Sequence, residues 1–228
     1  MGVLPVGPPE MASRPQVGLR SPRPGDAGAV PRVVRDGPWH RCVDQRHQQP
    51  WWFSTRTGTD DPGRFDLQSP AGTCYLAASQ VAAILEVCAD PDAADPPPPT
   101  TRLIAALLVW SGRLHEGSGL ADTTVASTPR LTVELSTVVP YDLPHEWADA
   151  LAGDGAAGLI YTARFGSDAA LALFGREGPP DPDVPDDPRN AGVLTPTPAA
   201  DYAADLPLAM RPVPALNAGE YDRAPPPA

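Results

Sequence analysis

Apolar and polar residues follow two different periods in the middle of the chain. They alternate over residues 39–43 and 73–77, and this period of two predicts two short strands. Apolar side chains then recur three and four positions apart over residues 81–88, which predicts a helix with one apolar stripe. Ser79 stands just before that stripe and is a suitable N-cap residue, so we expect the helix to begin there.

The same reasoning predicts further elements downstream. Residues 130–136 alternate and predict a strand. Residues 145–154 form a short amphipathic pattern, which predicts a helix with Trp147, Ala148 and Leu151 facing inward. Residues 158–164 and 169–175 predict two more strands, and the short FGSD turn between them favours a hairpin.

Other segments carry weaker patterns. Four successive prolines exclude a helix or central strand from the loop at 89–101. The apolar run 102–110 is too short to assign by period, and 111–127 is polar and typical of a loop. Helices do not alternate with strands in βαβ order. We therefore predict an α+β fold rather than a doubly wound parallel sheet.

Composition divides the chain into three parts. Many of the 32 prolines lie in residues 1–37 and 177–228, where runs such as PPDPDVPDDP bury too little apolar surface to offset the entropy of ordering. We expect these two segments to be disordered or extended tails. The middle, residues 38–176, has the length and apolar content of one ordinary domain.

Charge excludes some classes of function. The formal net charge is −11 and the chain contains no lysine, so a basic surface for nucleic acid is not expected. The acidic residues of 177–228 favour a solvated tail. No apolar stretch has the length of a membrane span, and the N-terminus lacks the apolar region of a signal peptide.

The three cysteines lack the spacing of a metal site. Cys42, Cys74 and Cys88 have no CxxC pair and no histidine at ligand spacing, so we predict no metal centre. Their odd number favours free thiols in a reducing compartment, and we expect a cytoplasmic protein. A Cys–His pair formed in space stays open at this point.

Candidate chemistry is concentrated in residues 62–87. Arg64 follows a tight turn, Tyr75 lies in a predicted strand, and Glu86 lies on the predicted helix, at two equal intervals of 11 residues. Strand alternation places Tyr75 opposite Cys74 and Leu76, where it either packs on a second layer or faces a groove. Helix geometry alone favours a solvated Glu86, since it falls off the apolar stripe.

Two arginines, an aromatic ring and a carboxylate together suit a pyrophosphate-linked nucleotide. Arg41, on the first predicted strand, and Arg64 can match phosphate oxygens bidentately. The ring of Tyr75 can stack on a planar base, and Glu86 can hold a ribose hydroxyl and support an oxocarbenium cation. The cluster of Trp51, Trp52 and Phe53 favours packing, and a stacking surface is the alternative.

Five blocks between residues 38 and 176 resemble the RES domain family. The early block is WHRCV, which contains Arg41, and the central blocks are GRFD, TCYLA and AAILEV, which contain Arg64, Tyr75 and Glu86. The later block, from HEWADALAGDG through GLIYTAR to ALALFG, resembles the family's helix and following strands. The spacing of Arg64, Tyr75 and Glu86 also fits the family pattern.

The resemblance implies a fold and an activity. The implied fold is the diphtheria-toxin-type ADP-ribosyltransferase fold, and the implied substrate is NAD⁺. Family members are typically toxins paired with a small Xre-like helix-turn-helix antitoxin. Some cleave the nicotinamide–ribose bond of NAD⁺ with water or phosphate as acceptor, and others transfer ADP-ribose to a protein.

The resemblance also implies roles for four residues. Arg41 and Arg64 would grip the dinucleotide, Tyr75 would stack against or orient its nicotinamide–ribose end, and Glu86 would bond the ribose and support the cation. Many relatives have Ser where this chain has Ala163, so a hydroxyl is missing unless Thr162 replaces it. Arg164 matches a family arginine of structural or phosphate-facing role. A catalytically weak domain that binds a partner is the alternative from another class.

Overall fold

The computed structural model describes residues 19–34, 37–47, 49–88, 101–114, 119–125, 134–163, 168–180 and 194–206. Within these ranges the strands are β1 (Arg32–Val33), β2 (Pro38–Asp44), β3 (Ala71–Ala77), β4 (Leu107–Arg113), β5 (Leu120–Asp122), β6 (Gly158–Thr162), β7 (Ala169–Arg176) and β8 (Leu194–Pro198). The α-helices are α1 (Gln80–Cys88), α2 (Thr101–Ala105), α3 (Glu134–Thr137) and α4 (Asp142–Gly153). Two 3₁₀ segments cover Ala27–Ala29 and Ala199–Asp205.

The strands form one sheet in the order β1-β5-β6-β7-β3-β2-β4-β8. Only the β5–β6 pair is parallel among these neighbours, and the remaining pairs are antiparallel. β6 and β7 pair from Gly158↔Leu173 to Thr162↔Ala169, which confirms the predicted hairpin. One mixed sheet with helices and long connections confirms the predicted α+β class.

The sheet buries a different set of side chains on each face. Cys74 and Leu76 of β3 pack with Trp39 and Trp51 on one face, which we call the tryptophan face. Tyr75 and Ala77 join the larger core on the other face, together with α1 and α4, and we call this the helical face. The predicted alternation along residues 73–77 is therefore confirmed.

The two longer helices begin and pack largely as the sequence predicts. The Ser79 hydroxyl accepts a hydrogen bond of 3.1 Å from the Ala82 amide, so Ser79 caps α1 as expected. On α4, the predicted inward residues Trp147, Ala148 and Leu151 are buried. The α4 helix starts three residues before the predicted position, at Asp142.

The prediction of unfolded tails is wrong for the parts that the structure describes. β1 pairs with β5, and the indole of Trp147 donates a hydrogen bond of 2.8 Å to the Arg20 carbonyl. β8 pairs with β4 at the end of the sheet, where its prolines are tolerated because the outer side of an edge strand has no partner strand. The folded domain thus extends beyond the predicted limits 38 and 176. The remaining tail residues lie outside the described ranges.

Two further predictions are wrong. Residues 134–137 form the short helix α3, not the end of a strand over 130–136, although Leu135 is buried as expected; 130–133 lie outside the described residues. The predicted loop over 111–127 contains the end of β4 and all of β5. The sequence around β5 looks polar because the strand ends in Asp122. The buried carboxylate of Asp122 accepts a hydrogen bond of 2.5 Å from the Thr124 hydroxyl.

The run 102–110, left unassigned by its period, divides into α2 and β4. In the aromatic cluster, Trp51 and Phe53 are core residues, which confirms the packing interpretation for both, and Trp52 is 52% exposed. Within the described ranges, every helix falls short of the length and apolarity that a bilayer-spanning segment requires.

Candidate functional site

A cavity of about 350 Å³ opens on the helical face, where β2, β3 and α1 meet the turn that precedes β3. Its volume lies in the usual range for small-molecule sites, roughly 300–1,000 Å³. Polar and aromatic side chains dominate its wall. The lining residues are His40, Arg41, Cys42, Asp61, Pro62, Gly63, Arg64, Tyr75, Leu76, Ala77, Ala83, Glu86, Val87, Tyr141 and Tyr161.

Three of the predicted site residues meet in this cavity from three kinds of element. Arg64 lies on the turn, Tyr75 on β3 and Glu86 on α1. The turn, the strand and the helix follow one another directly along the chain. Each contributes one side of the cavity, so residues spaced 11 apart in the sequence lie close together in space. Sequence periodicity alone made Glu86 a solvated side chain, whereas the structure leaves it half-buried in the cavity wall.

Arg64 is a buried cation held by an adjacent loop. It is only 8% exposed, and its Nη1 donates a hydrogen bond of 2.7 Å to the Val138 carbonyl. The guanidinium carbon lies 4.4 Å from the centre of the Tyr141 ring, a cation–π distance. These contacts orient the guanidinium at the cavity before any ligand arrives.

Tyr75 is tied to the same turn through its hydroxyl. The Phe65 amide donates to the Tyr75 oxygen at 2.8 Å, and the hydroxyl donates to Asp66 Oδ1 at 2.9 Å. Burial raises the pKa of Tyr75 well above its usual value, and the negative charge of Asp66 adds to the shift. Tyr75 therefore keeps its proton at neutral pH.

Glu86 and Arg64 both act electrostatically on a third ring, Tyr161. Burial raises the pKa of Tyr161 well above its usual value; the charge of Glu86 raises it further, and the charge of Arg64 opposes the shift. Tyr161 also packs edge-on against Phe65, with ring centres 4.8 Å apart. The cavity thus combines a cation, a carboxylate and protonated phenols, which suits a ligand with both anionic and cationic parts.

Arg41, the fourth predicted site residue, is placed differently. It borders the cavity, but its Nη1 donates to the Trp52 carbonyl at 3.1 Å and to Cys74 Sγ. Cys74 belongs to the tryptophan face, opposite Tyr75. The structure therefore brings Arg64, Tyr75 and Glu86 together but directs the Arg41 guanidinium to the other side of the sheet.

Sequence reasoning missed His40, Tyr141 and Tyr161. His40 is only 3% exposed, and its Nδ1 lies 2.7 Å from the Ser111 hydroxyl. Burial lowers its pKa. Two of these residues had a signal in the sequence. His40 precedes Arg41 on an alternating strand, and Tyr161 lies in an apolar strand. Tyr141 has no local signal, since it comes from the loop before α4.

Among the described residues we find neither a thiol with a lowered pKa nor a group that could hold a metal ion. Burial raises the pKa of Cys42 to about 12 and that of Cys88 to about 11, so neither thiol supplies a thiolate at neutral pH. This disfavours the Cys–His nucleophile that the sequence left open. In the described part of the chain, no group of three or more His, Cys, Asp or Glu residues is arranged to hold a metal ion.

Most of the chain matches one known protein family. The profile of the RES domain matches residues 38–192, about two thirds of the chain. The chain belongs to the RES domain family. The match begins at the predicted boundary of the domain and ends beyond the predicted residue 176.

A solved structure shares the architecture of this RES domain. A chain in the crystal structure of the M. tuberculosis MbcT–MbcA toxin–antitoxin complex superposes with a TM-score of 0.59 at 14% identity. The alignment covers 78% of the present chain and 93% of that chain. The likeness shows that the two chains share a fold. No curated protein matches the sequence significantly.

The resemblance implies Ser in many relatives at the position of Ala163. Ala163 is buried in the core of the helical face, next to the end of β6. Thr162 precedes it on β6, and alternation directs its side chain away from the face of Tyr161. Of these three residues only Tyr161 lines the cavity, and Thr162 is half-buried elsewhere. Arg164 lies outside the described residues.

Proposed function

We propose that this RES domain consumes NAD⁺ by cleaving the nicotinamide–ribose bond, with water or phosphate as the acceptor. The observation that carries the proposal is the meeting of Arg64, Tyr75 and Glu86 in one cavity. These residues supply a phosphate ligand, an aromatic surface and a carboxylate. Membership of the RES family supports NAD⁺ as the substrate class.

Each residue has a role that its surroundings favour. Arg64, already oriented by Val138 and Tyr141, binds phosphate oxygens of the dinucleotide. The Tyr75 ring lies against the nicotinamide, whose positive charge favours an aromatic face. Glu86 accepts a hydrogen bond from a ribose hydroxyl and stabilises the cation that develops on the sugar.

The bond changes balance without a metal or a covalent enzyme intermediate. The C–N bond between ribose and nicotinamide breaks, and its electron pair neutralises the pyridinium of the leaving nicotinamide. An oxygen of water or phosphate forms the new bond to the ribose carbon, and the acceptor loses a proton. Differential binding of the developing sugar cation is the catalytic contribution of the site.

The biological setting that we propose is a toxin with an antitoxin. The neighbouring MbcT–MbcA structure is a toxin–antitoxin complex, and this supports a protein partner for the present chain. We infer that the partner is a small helix-turn-helix protein of the Xre type. All three cysteines are free thiols, which is consistent with action in the cytoplasm. Expression alone should arrest growth, and coexpression of the partner should restore it.

The test of the activity is release of nicotinamide by the purified chain, with and without phosphate. We expect Glu86→Gln to lower the rate by roughly a hundredfold, because the amide cannot stabilise the sugar cation as a carboxylate does. Glu146→Gln is the matched control, since Glu146 is exposed on α4 and does not line the cavity. Equal rates for wild type and Glu86→Gln would overturn the assignment of Glu86.

Transfer of ADP-ribose to a protein is the second candidate, because it uses the same NAD⁺ site with another acceptor. The ADP-ribosyltransferase-type fold that the family resemblance implies favours this reaction. Labelled NAD⁺ added to a lysate separates the two. Label on a protein indicates transfer, and free ADP-ribose or its 1″-phosphate indicates degradation.

A third candidate is a weak enzyme whose role is partner binding. The buried methyl of Ala163, where many relatives have a hydroxyl, motivates it. Absence of both NAD⁺ turnover and growth arrest would favour this function over the other two.

A further inference from the structure

The hydroxyl of Tyr75 makes two hydrogen bonds to the protein, one accepted and one donated. Its oxygen accepts a hydrogen bond of 2.8 Å from the Phe65 amide, and its single proton is donated to Asp66 Oδ1 at 2.9 Å. A phenol has one proton to donate. A ligand in the cavity therefore meets the ring of Tyr75, while the hydroxyl faces the turn that carries Arg64.

Asp66 is the centre of this arrangement. It is only 2% exposed, and its carboxylate accepts hydrogen bonds from three neutral donors. Oδ1 accepts from the Tyr75 hydroxyl and from Ser54 Oγ at 2.8 Å, and Oδ2 accepts from the Gly63 amide at 2.8 Å. Bonds from neutral donors to a buried carboxylate are charge-assisted and hence strong. We call Ser54, Gly63, Asp66 and Tyr75 the Asp66 network.

Packing at Gly63 shows how tightly the Asp66 network is closed. A Cβ at this position would lie 2.8 Å from Asp66 Oδ1 and 2.8 Å from the Tyr75 hydroxyl. Both distances are shorter than real Cβ contacts. Glycine is therefore required here for space, because the network occupies the volume that a side chain would need.

The carbonyls of the same turn are held by other elements. The Gly63 carbonyl lies 2.9 Å from Nε2 of His145 on α4, and Phe65 O accepts a bond of 2.8 Å from the Thr73 hydroxyl on β3. Arg64 stands between these two anchored residues. The position of its backbone at the cavity edge is thus set by the turn, and the turn is set by Asp66.

We propose that Asp66 is a positioning residue, which holds the Tyr75 ring and the Arg64 turn in the geometry that the substrate requires. The inference rests on the proposed function for its catalytic consequence. The hydrogen-bond network itself does not depend on that function. Asp66 does not touch the substrate and acts through Tyr75 and Arg64.

The kinetic test compares Asp66→Asn, Tyr75→Phe and the double variant in nicotinamide release. Each single change should lower kcat roughly ten- to hundredfold, because small displacements of catalytic groups are costly. Tyr75→Phe keeps the ring and should change the KM for NAD⁺ by less than about threefold, whereas Asp66→Asn should also raise KM because it loosens the turn that carries Arg64. The double variant should be no slower than the slower single variant, since both changes break one unit. A tenfold rise in KM for Tyr75→Phe at unchanged kcat would show that the hydroxyl binds the ligand, and would overturn the proposal.

A second measurement separates failure of this inference from failure of the proposed function. Thermal unfolding midpoints without NAD⁺ should show the same non-additivity for Asp66→Asn and Tyr75→Phe. Asp154→Asn is the matched control, because Asp154 pairs with Arg32 away from the cavity, and its shift should add to that of Tyr75→Phe. Strict additivity of the Asp66 and Tyr75 shifts would contradict the network, whether or not NAD⁺ is cleaved.

Ser54→Ala guards against loss of folding in Asp66→Asn. It removes one donor to Asp66 Oδ1 and leaves the Tyr75 bond in place. Its midpoint shift should also be non-additive with that of Tyr75→Phe, and independent shifts would again contradict the proposal.

Discussion

His40 and Arg41 are neighbours on β2, yet their side chains belong to opposite faces of the sheet. His40 lies opposite Ala77 in the β2–β3 register and lines the cavity on the helical face. Arg41 lies opposite Trp110 in the β2–β4 register, and its guanidinium contacts Cys74 on the tryptophan face. Both residues border the cavity, but one position along the strand turns the Arg41 guanidinium toward the second core.

The same contrast separates the two arginines that the family pattern pairs. Arg64 is packed on Tyr141 at the cavity, whereas Arg41 holds the Trp52 carbonyl and the Cys74 thiol. A motif conveys which residue types occur but not the direction of each side chain. Strand alternation supplies that direction. Under the proposed function, Arg64 is therefore the candidate for phosphate binding, while the hydrogen bonds of Arg41 link the cavity border to the tryptophan face.

The largest expected effect is at Arg64. Arg64→Ala should lower kcat/KM for NAD⁺ by about a hundredfold or more, because loss of charge-assisted bonds of about 1.5–3 kcal/mol each weakens substrate binding and orientation. Arg64→Lys should recover part of the loss, since an ammonium keeps the charge but cannot form the bidentate fork. Initial rates of nicotinamide release over a range of NAD⁺ concentrations measure both variants.

Arg113→Ala is the control for Arg64, because Arg113 is exposed at the end of β4 and does not line the cavity. Its kinetics should equal those of wild type. If Arg64→Ala kept wild-type kcat/KM, the contrast between the two arginines would lose its functional meaning.

A smaller effect, of a different kind, is expected at Arg41. Arg41→Ala leaves the Trp52 carbonyl and the buried Cys74 thiol without this donor, and should lower the free energy of unfolding by about 1–3 kcal/mol. The KM for NAD⁺ should change by less than about threefold, since the hydrogen bonds of the guanidinium direct it to the tryptophan face. Urea unfolding and nicotinamide release measure the two quantities on the same preparation. A KM raised tenfold at unchanged stability would instead support the phosphate role that the resemblance implied.

Much of the central site could be predicted because its parts are adjacent in the sequence. Alternation placed Tyr75 on the face opposite Cys74, and Ser79 marked the start of α1. Glu86 needed the family pattern, because a glutamate off an apolar stripe is usually solvated. The wall that covers Glu86 includes Tyr161, which follows it by 75 residues, so no local period could indicate its burial.

The elements that were missed owe their structure to distant partners. β8 contains prolines that argue against a strand, yet β4 pairs with it from Leu108↔Pro198 to Gly112↔Leu194. Proline lacks an amide proton, but an edge strand needs donors on only one side. Arg20 and the first 3₁₀ segment pack against α4, which lies more than 100 residues later. Composition describes a segment by itself and cannot show that another element covers it.

The smallest expected effect concerns the pH dependence of stability at His40. Burial lowers the pKa of His40 in the folded chain below its unfolded value of about 6.5. As the pH falls through 6.5, the unfolded chain gains a proton that the folded chain does not bind, so the free energy of unfolding decreases. His40→Gln should make this decrease shallower, chiefly at pH values below the unfolded pKa of about 6.5 and above the lowered folded pKa. His47→Gln, at an exposed position, is the matched control. Urea unfolding at several pH values measures the slopes, and an unchanged slope in His40→Gln would contradict a buried neutral imidazole. Arg41→Ala removes two hydrogen bonds and should shift the whole curve without changing its slope, which distinguishes the two neighbours of β2 in one experiment.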